Sequence, residues 1–155
     1  MNQTSDHSKL AGELFAQGYN CAQSVLLAFE DITGLDRETA ARVASSFGGG
    51  IGGSGEVCGA LTGALMALGL VVGNTDPADK AAKEFHRRRS FDFAVLFEAE
   101  QGSLRCWELL ALPEPEAGAG LTQINKTLSK LDESPCPKLV MSAARLLDEF
   151  LATRY

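Results

Sequence analysis

The sequence predicts an all-α fold, a single-domain compact helical bundle of about six to seven helices spanning residues 1–155. Three observations carry that prediction. Apolar residues recur at three- and four-residue spacing along most of the chain. The segments so marked begin at capping residues and stop at glycine or proline. No stretch alternates apolar and polar residues as a half-buried strand does. A chain of 155 residues buries roughly 68–70% of its extended surface, enough for a core without disulfide staples.

Each element follows from local signals. Ser5 or Asp6 caps a first helix carrying Leu10, Leu14 and Phe15, behind a mobile tail expected over residues 1–6. Gly18-Tyr19-Asn20 interrupts it, and "CAQSVLLAFEDIT" resumes the helical pattern until Gly34, a good C-terminal stop. Asp36 caps "RETAARVASSF", which ends at a glycine loop; a helix from Glu56 to Val72 comes next. After the turn "GNTDPAD", Pro77 takes the favoured first position of a helix running to about Glu100. Phe85, Phe91, Phe93 and Phe97 of that helix are candidates for the core. "LRCWELLAL" forms a short helix stopped by Pro113, and residues 113–120, "PEPEAGAG", read as a flexible linker. "LTQINKTLSKL", a break at "DESPCP" and a last helix, "KLVMSAARLLDEFLATRY", complete the chain.

Charge and hydropathy narrow the function. A net charge of −6 argues against nucleic acid or anionic lipid as partners. The basic run Arg87-Arg88-Arg89 is expected to be a solvated helix face. The N-terminus lacks a basic start followed by an apolar stretch, so no signal peptide is visible. The longest nearly apolar run, Val57 to Val72, has 16 residues where a membrane span needs about 20. A cytoplasmic protein with no membrane span is expected.

The segment "FGGGIGGSGEVCGALTGALMALGL" holds eight glycines in its first 17 residues. Gly50, Gly52 and Gly55 satisfy G-x-G-x-x-G, but that motif binds dinucleotides only between a strand and a helix. Here the preceding segment is helical, and no G-K-[ST] follows. Further on, Gly59 and Gly63 are four apart, as are Ala60 and Ala64, which leaves one helix face almost bare. Each mid-helix glycine costs roughly 0.5–1 kcal/mol against alanine, a cost that close approach of a neighbouring helix or a ligand would offset.

Four cysteines, Cys21, Cys58, Cys106 and Cys136, lie 37, 48 and 30 residues apart. No C-x-x-C occurs, so spacing supports neither a zinc ribbon nor a thioredoxin-like pair. Their settings are alike, however: each falls at the start of a predicted helix, where free N–H groups favour a thiolate. A helix end contributes only about 0.3–1 kcal/mol, less than one pKa unit, so the thiol still dominates at neutral pH. Arg105 and Lys138 favour ionisation of Cys106 and Cys136, and Glu56 opposes that of Cys58.

Four stretches, "GYNCAQSVL", "GGSGEVCGALTGALMALGL", "CWELL" and "CPKLVMSAARLL", together resemble the redox-active proteins named for their C_GCAxxG_C_C pattern. C-G-A-x-x-G is present as Cys58, Gly59, Ala60 and Gly63, and the resemblance runs from about Gly18 to Leu147. It implies a small helical protein with redox-active or metal-ligating cysteines, often encoded beside transporters, and hence a redox partner associated with transport. A similar cysteine region occurs in split-Soret cytochromes, which carry an iron–sulfur centre besides haem. By that likeness Cys21, Cys58, Cys106 and Cys136 become metal ligands, with a [2Fe–2S] cluster favoured and Gly59 and Gly63 making room for it.

Three functions are therefore weighed. The first is electron transfer or redox sensing, through an iron–sulfur cluster or through dithiol/disulfide cycling of pairs such as Cys21 and Cys58. Closing that 37-residue loop would stabilise by roughly 3–4 kcal/mol on the chain-entropy model. The second is a helical module with structural zinc or inert cysteines that binds a partner or ligand without redox turnover. The third is a cysteine hydrolase with His7 or His86 as base, and it is ranked last, since His7 is expected in the mobile tail and His86 beside the surface run Arg87–Arg89. Oligomeric state is open, a homodimer included. The shared geometric expectation is that all four sulfurs converge near the start of the helix after the glycine loop.

Overall fold

A computed structural model describes residues 6–114 and 133–153, and all structural statements below concern those residues. It contains eight α-helices: α1 (His7–Ala16), α2 (Cys21–Ala28), α3 (Glu30–Thr33), α4 (Arg37–Ala44), α5 (Gly59–Val72), α6 (Lys80–Gln101), α7 (Cys106–Leu109) and α8 (Cys136–Ala152). A 3-10 turn, Ser45–Phe47, follows α4. No described helix is long and apolar enough to cross a membrane. The expected linker at 113–120 and the helix at "LTQINKTLSKL" fall largely or wholly outside the described residues, as do positions 1–5 of the expected tail.

Helix α2 is the centre of the bundle. Ala22, Ser24, Val25, Leu26, Leu27 and Ala28 are all buried, which marks a helix covered on every side. It packs on α5, α1, α4 and α8, while α8 also lies along α1. Phe29, Phe93, Phe97, Leu14, Leu61, Leu68 and Leu147 complete the core. Two predicted caps form: Asp6 accepts the Lys9 N–H at 3.0 Å and Asp36 accepts the Thr39 N–H at 3.0 Å. Gly34 ends its segment at φ +68°, the left-handed conformation glycine takes without penalty.

Several expectations are corrected. The predicted helix from Cys21 to Thr33 is divided at Phe29, so two short helices stand where one was expected. The helix expected from Glu56 starts at Gly59, because Glu56 to Cys58 is extended and paired with a distant segment. Pro77 does not open α6, which begins at Lys80 with Asp79 accepting the Ala82 N–H at 2.9 Å. Phe85 and Phe91 are exposed, leaving Phe93 and Phe97 as the aromatic core of α6. Within the basic run Arg87 and Arg88 are exposed. Arg89 is buried, its guanidinium 4.7 Å from the centre of the Phe150 ring, a cation–π contact that a solvated face does not make.

His7 is likewise no part of a tail. It opens α1, is 6% exposed, and stacks on Phe29 with ring centres 4.2 Å apart. Its Nδ1 lies 2.6 Å from Asp148 and its Nε2 2.9 Å from Asp31. One imidazole thus ties α1 to α3 and α8. Burial alone would lower its pKa, but hydrogen bonds and charge from Asp148 and Asp31 outweigh burial and raise it above 6.5. A raised histidine pKa stabilises the fold fully below the unfolded value and less as pH rises through the folded one. Unfolding free energy is therefore expected to fall as pH climbs above about 6.5; denaturant titrations at several pH values should show this slope in the native chain and a weaker one in Asp148→Asn, where Asp31 remains.

Candidate functional site

The site begins with bare helix surface. A Cβ placed on Gly63 would stand 2.5 Å from the Ala22 carbonyl oxygen, and one on Gly59 would stand 2.3 Å from Cys21 Sγ. The start of α2 therefore lies directly against α5, and the two glycines have different neighbours. Gly63 makes room for the α2 backbone, so the space beside it is filled by the protein itself. Gly59 makes room for a sulfur.

Asn20 secures the Cys21 end. Its Oδ1 accepts the Gln23 N–H at 2.9 Å, while its own N–H donates to Gln23 Oε1 at 3.0 Å, a reciprocal capping box. Its Nδ2 also donates to the Ser45 carbonyl at 3.1 Å. The glycine loop then folds over this corner. Gly49, Gly50, Ile51, Gly52 and Gly53 have φ of +64°, +70°, +67°, +58° and +74°, five successive residues in the left-handed region. A Cβ on Gly48 would meet the Asn20 side chain at 2.7 Å, and one on Gly50 would meet Cys106 Cβ at 2.6 Å. Only backbone without side chains can pass so near both. Ile51 is the exception in conformation; its side chain is exposed.

A two-stranded contact brings in the third cysteine. Val57 pairs antiparallel with Arg105. The Cys58 N–H donates to the Leu104 carbonyl at 2.8 Å and the Cys106 N–H to the Glu56 carbonyl at 2.6 Å. In such a ribbon Cys58 and Cys106 share one face as diagonal neighbours, with Val57 and Arg105 on the other. Arg105 also reaches Glu56 at 3.3 Å. Cys136 opens α8, its N–H donating to Ser134 Oγ at 3.3 Å.

All four cysteines thus stand at helix starts: Cys21, Cys106 and Cys136 as first residues and Cys58 as the residue capping α5. Cys21, Cys106 and Cys136 line one cavity of about 360 Å³, together with Phe15, Tyr19 and Asn20. Cys58, 5% exposed, lies buried close by, near enough to Cys21, Cys106 and Cys136 for their charges to interact. No charged side chain is among the described residues that line the cavity. All four thiols are free. Backbone N–H groups of Gly49 and Gly59 point at Cys21, and those of Ala60 and Leu61 at Cys58, yet burial prevails over them. It pushes Cys58, with help from the neighbouring Cys21, up to about 12. Burial likewise raises Cys21, Cys106 and Cys136. The helix-start effect is real in geometry and outweighed in energy.

The convergence has a definite scale. Among the described residues, no three His, Cys, Asp or Glu side chains are gathered closely enough to hold a single metal ion. Neither histidine serves the site as a base. His7 is held by two carboxylates, and His86 lies near Gly69 on α5, about 16 Å along the helix from Cys58. Tyr19, Asn20 and Ser134 were not singled out from the sequence as site residues. The Asn20–Gln23 spacing was a legible capping box, whereas the 55–58 and 104–107 pairing left no local signal.

Residues 19–150 match the family model described as "Putative redox-active protein (C_GCAxxG_C_C)". Comparison with curated proteins and with solved structures gave no match.

Two stability outcomes follow from the glycines. Gly63→Ala and Gly59→Ala are each expected to cost roughly 1–3 kcal/mol through overpacking, read by denaturant unfolding, and only Gly59→Ala should also change the reactivity of Cys21 toward a thiol reagent. Ile51→Gly relieves a left-handed branched residue, worth about 1–2 kcal/mol, against the added entropy of an unfolded glycine. A net gain of roughly 0.5–1 kcal/mol is expected by the same measurement.

Proposed function

The chain belongs to the C_GCAxxG_C_C family, and we propose that it is an electron-transfer or redox-sensing protein whose four cysteines hold an iron–sulfur cluster, [2Fe–2S] in the first instance. One observation carries the reading: cysteines from four separate parts of the chain meet at one cavity, three on its walls and Cys58 beside them. The donor set is four sulfurs with no lining carboxylate or imidazole among the described residues, the chemistry that suits iron–sulfur clusters. A tetrahedral zinc ion needs three or more protein ligands around one point, and no such group occurs among the described residues. A two-iron cluster takes two thiolates on each iron and does not require three around one point.

In this reading Cys21, Cys58, Cys106 and Cys136 are the ligands, and the cluster supplies one-electron chemistry together with the positive charge that four neighbouring thiolates require. The chain's own groups do the rest. Gly49 and Gly59 direct N–H groups at Cys21, and Ala60 and Leu61 at Cys58, which favours the more negative, reduced state. Phe15 and Tyr19 line the cavity and limit water beside the sulfurs. Gly52, exposed among the lining residues, offers an approach for a redox partner.

Anaerobic purification or reconstitution tests the reading. The expected product is coloured, with about two irons and two acid-labile sulfides per chain, bleached reversibly by a reductant. Replacing any one of the four cysteines by serine should lower cluster content severalfold. A colourless chain that takes up no iron and whose thiols cycle reversibly with disulfide would establish the dithiol reading. Zinc uptake without any redox response would establish the structural-metal reading. Either result overturns the cluster.

A further inference from the structure

Of its 22 residues, α6 buries only Arg89, Phe93 and Phe97. Phe85, Phe91, Val95 and Leu96 are exposed, Phe91 to 63%. On the outer side, Ala81, Glu84, Arg88, Phe91, Val95 and Glu98 are all exposed or nearly so and follow one another at spacings of three and four. That spacing makes one continuous seam along a helix, as in coiled coils. The seam is symmetric about its midpoint between Arg89 and Ser90. Turned end for end, it sets Arg88 against Phe91 and Glu84 against Val95, with Arg87 against Asp92 at its flank. Arg87, Arg88, Phe91 and Asp92 also line a shallow groove of about 290 Å³ at this midpoint.

The charges have a direction as well. Lys80, Lys83, Arg87 and Arg88 occupy the first half of the helix, and Asp92, Glu98 and Glu100 the second, with Glu84 as the exception. Asp79 caps the start of α6 and Arg145 pairs with Glu100 near its end, but within the helix there is no acidic residue in the first turn and no basic residue in the last, so its own charges run against its dipole. A second copy laid antiparallel sets its acidic half beside the basic start. A parallel copy would place like charges together.

We propose that the outer face of α6 is the two-fold interface of a homodimer, in which two copies pair antiparallel about the Arg89–Ser90 midpoint. Such an interface is self-complementary: Arg87 faces Asp92 of the second copy, Arg88 lies over its Phe91, and each contact occurs twice. Within one chain Arg87 holds Glu84 at 2.6 Å and Arg88 stands 4.0 Å from Asp92. These exposed pairs are of little worth in water, so exchanging them across the interface costs little. None of the described residues lining the cysteine cavity belongs to α6, so the dimer and the cluster stand or fall separately.

Sedimentation equilibrium of the full chain over a range of concentrations tests this. A reversible monomer–dimer equilibrium is expected. Phe91→Asp should raise the dimer Kd at least about tenfold, as loss of a central aromatic anchor does, with helical circular dichroism unchanged. Arg87→Asp and Asp92→Arg should each weaken the dimer, and the two changes together should restore most of it. A chain that sediments as a monomer at every concentration overturns the proposal. So does a dimer whose Kd is indifferent to Phe91→Asp, or charge reversals that fail to rescue one another.

Discussion

The architecture depends on two absent side chains. Because Gly59 and Gly63 carry no Cβ, the first turn of α2 lies on the first turns of α5 at backbone distance, with Ala22 over Gly63 and the Cys21 sulfur over Gly59. A single methyl at either place would collide with atoms that the surrounding core holds still. Everything at the site is built outward from that contact. It sets Cys21 beside Cys58, brings Asn20 within reach of the turn after α4, and obliges the intervening chain to turn within a few residues. The left-handed run Gly49–Gly53 makes that turn, at little cost because four of its five residues are glycine.

The same closeness decides the electrostatics. Helix starts favour a negative sulfur by a fraction of a pKa unit, whereas burial of a charged group without a partner can shift it by several. The second effect wins at Cys58, which is pushed to about 12. A site with three buried cysteines and a half-buried fourth, Cys21, and no cation among its described lining is a poor place for free thiolates and a suitable one for sulfurs that share a positive centre. That is why the iron–sulfur reading accounts for the arrangement better than isolated nucleophilic cysteines, which need exposure and nearby positive charge.

Much of the fold was legible locally. Asp6, Asp36 and Gly34 act through atoms within a few residues of themselves, so their roles could be read from sequence order alone. The failures share a cause. Glu56 to Cys58 has the composition of a helix start, but hydrogen bonds from residues 104–107 hold it extended. His7 sits near the end of the chain, yet Asp31 and Asp148 bury it. Phe85 and Phe91 are as apolar as Phe93 and Phe97, and only the position of α5 and α8 distinguishes the pairs.

By itself the sequence determined that this protein is helical, where most of its helices begin and end, and that its four cysteines all stand at helix starts. Periodicity, caps and glycines act over one or two turns, and those are properties a linear order contains. Only the tertiary structure decided which sulfurs face one another, that Gly63 serves a helix while Gly59 serves a sulfur, and that burial outweighs the helix ends. Each of those depends on groups tens of residues apart meeting at atomic distance, where a difference of one methyl group settles what fits.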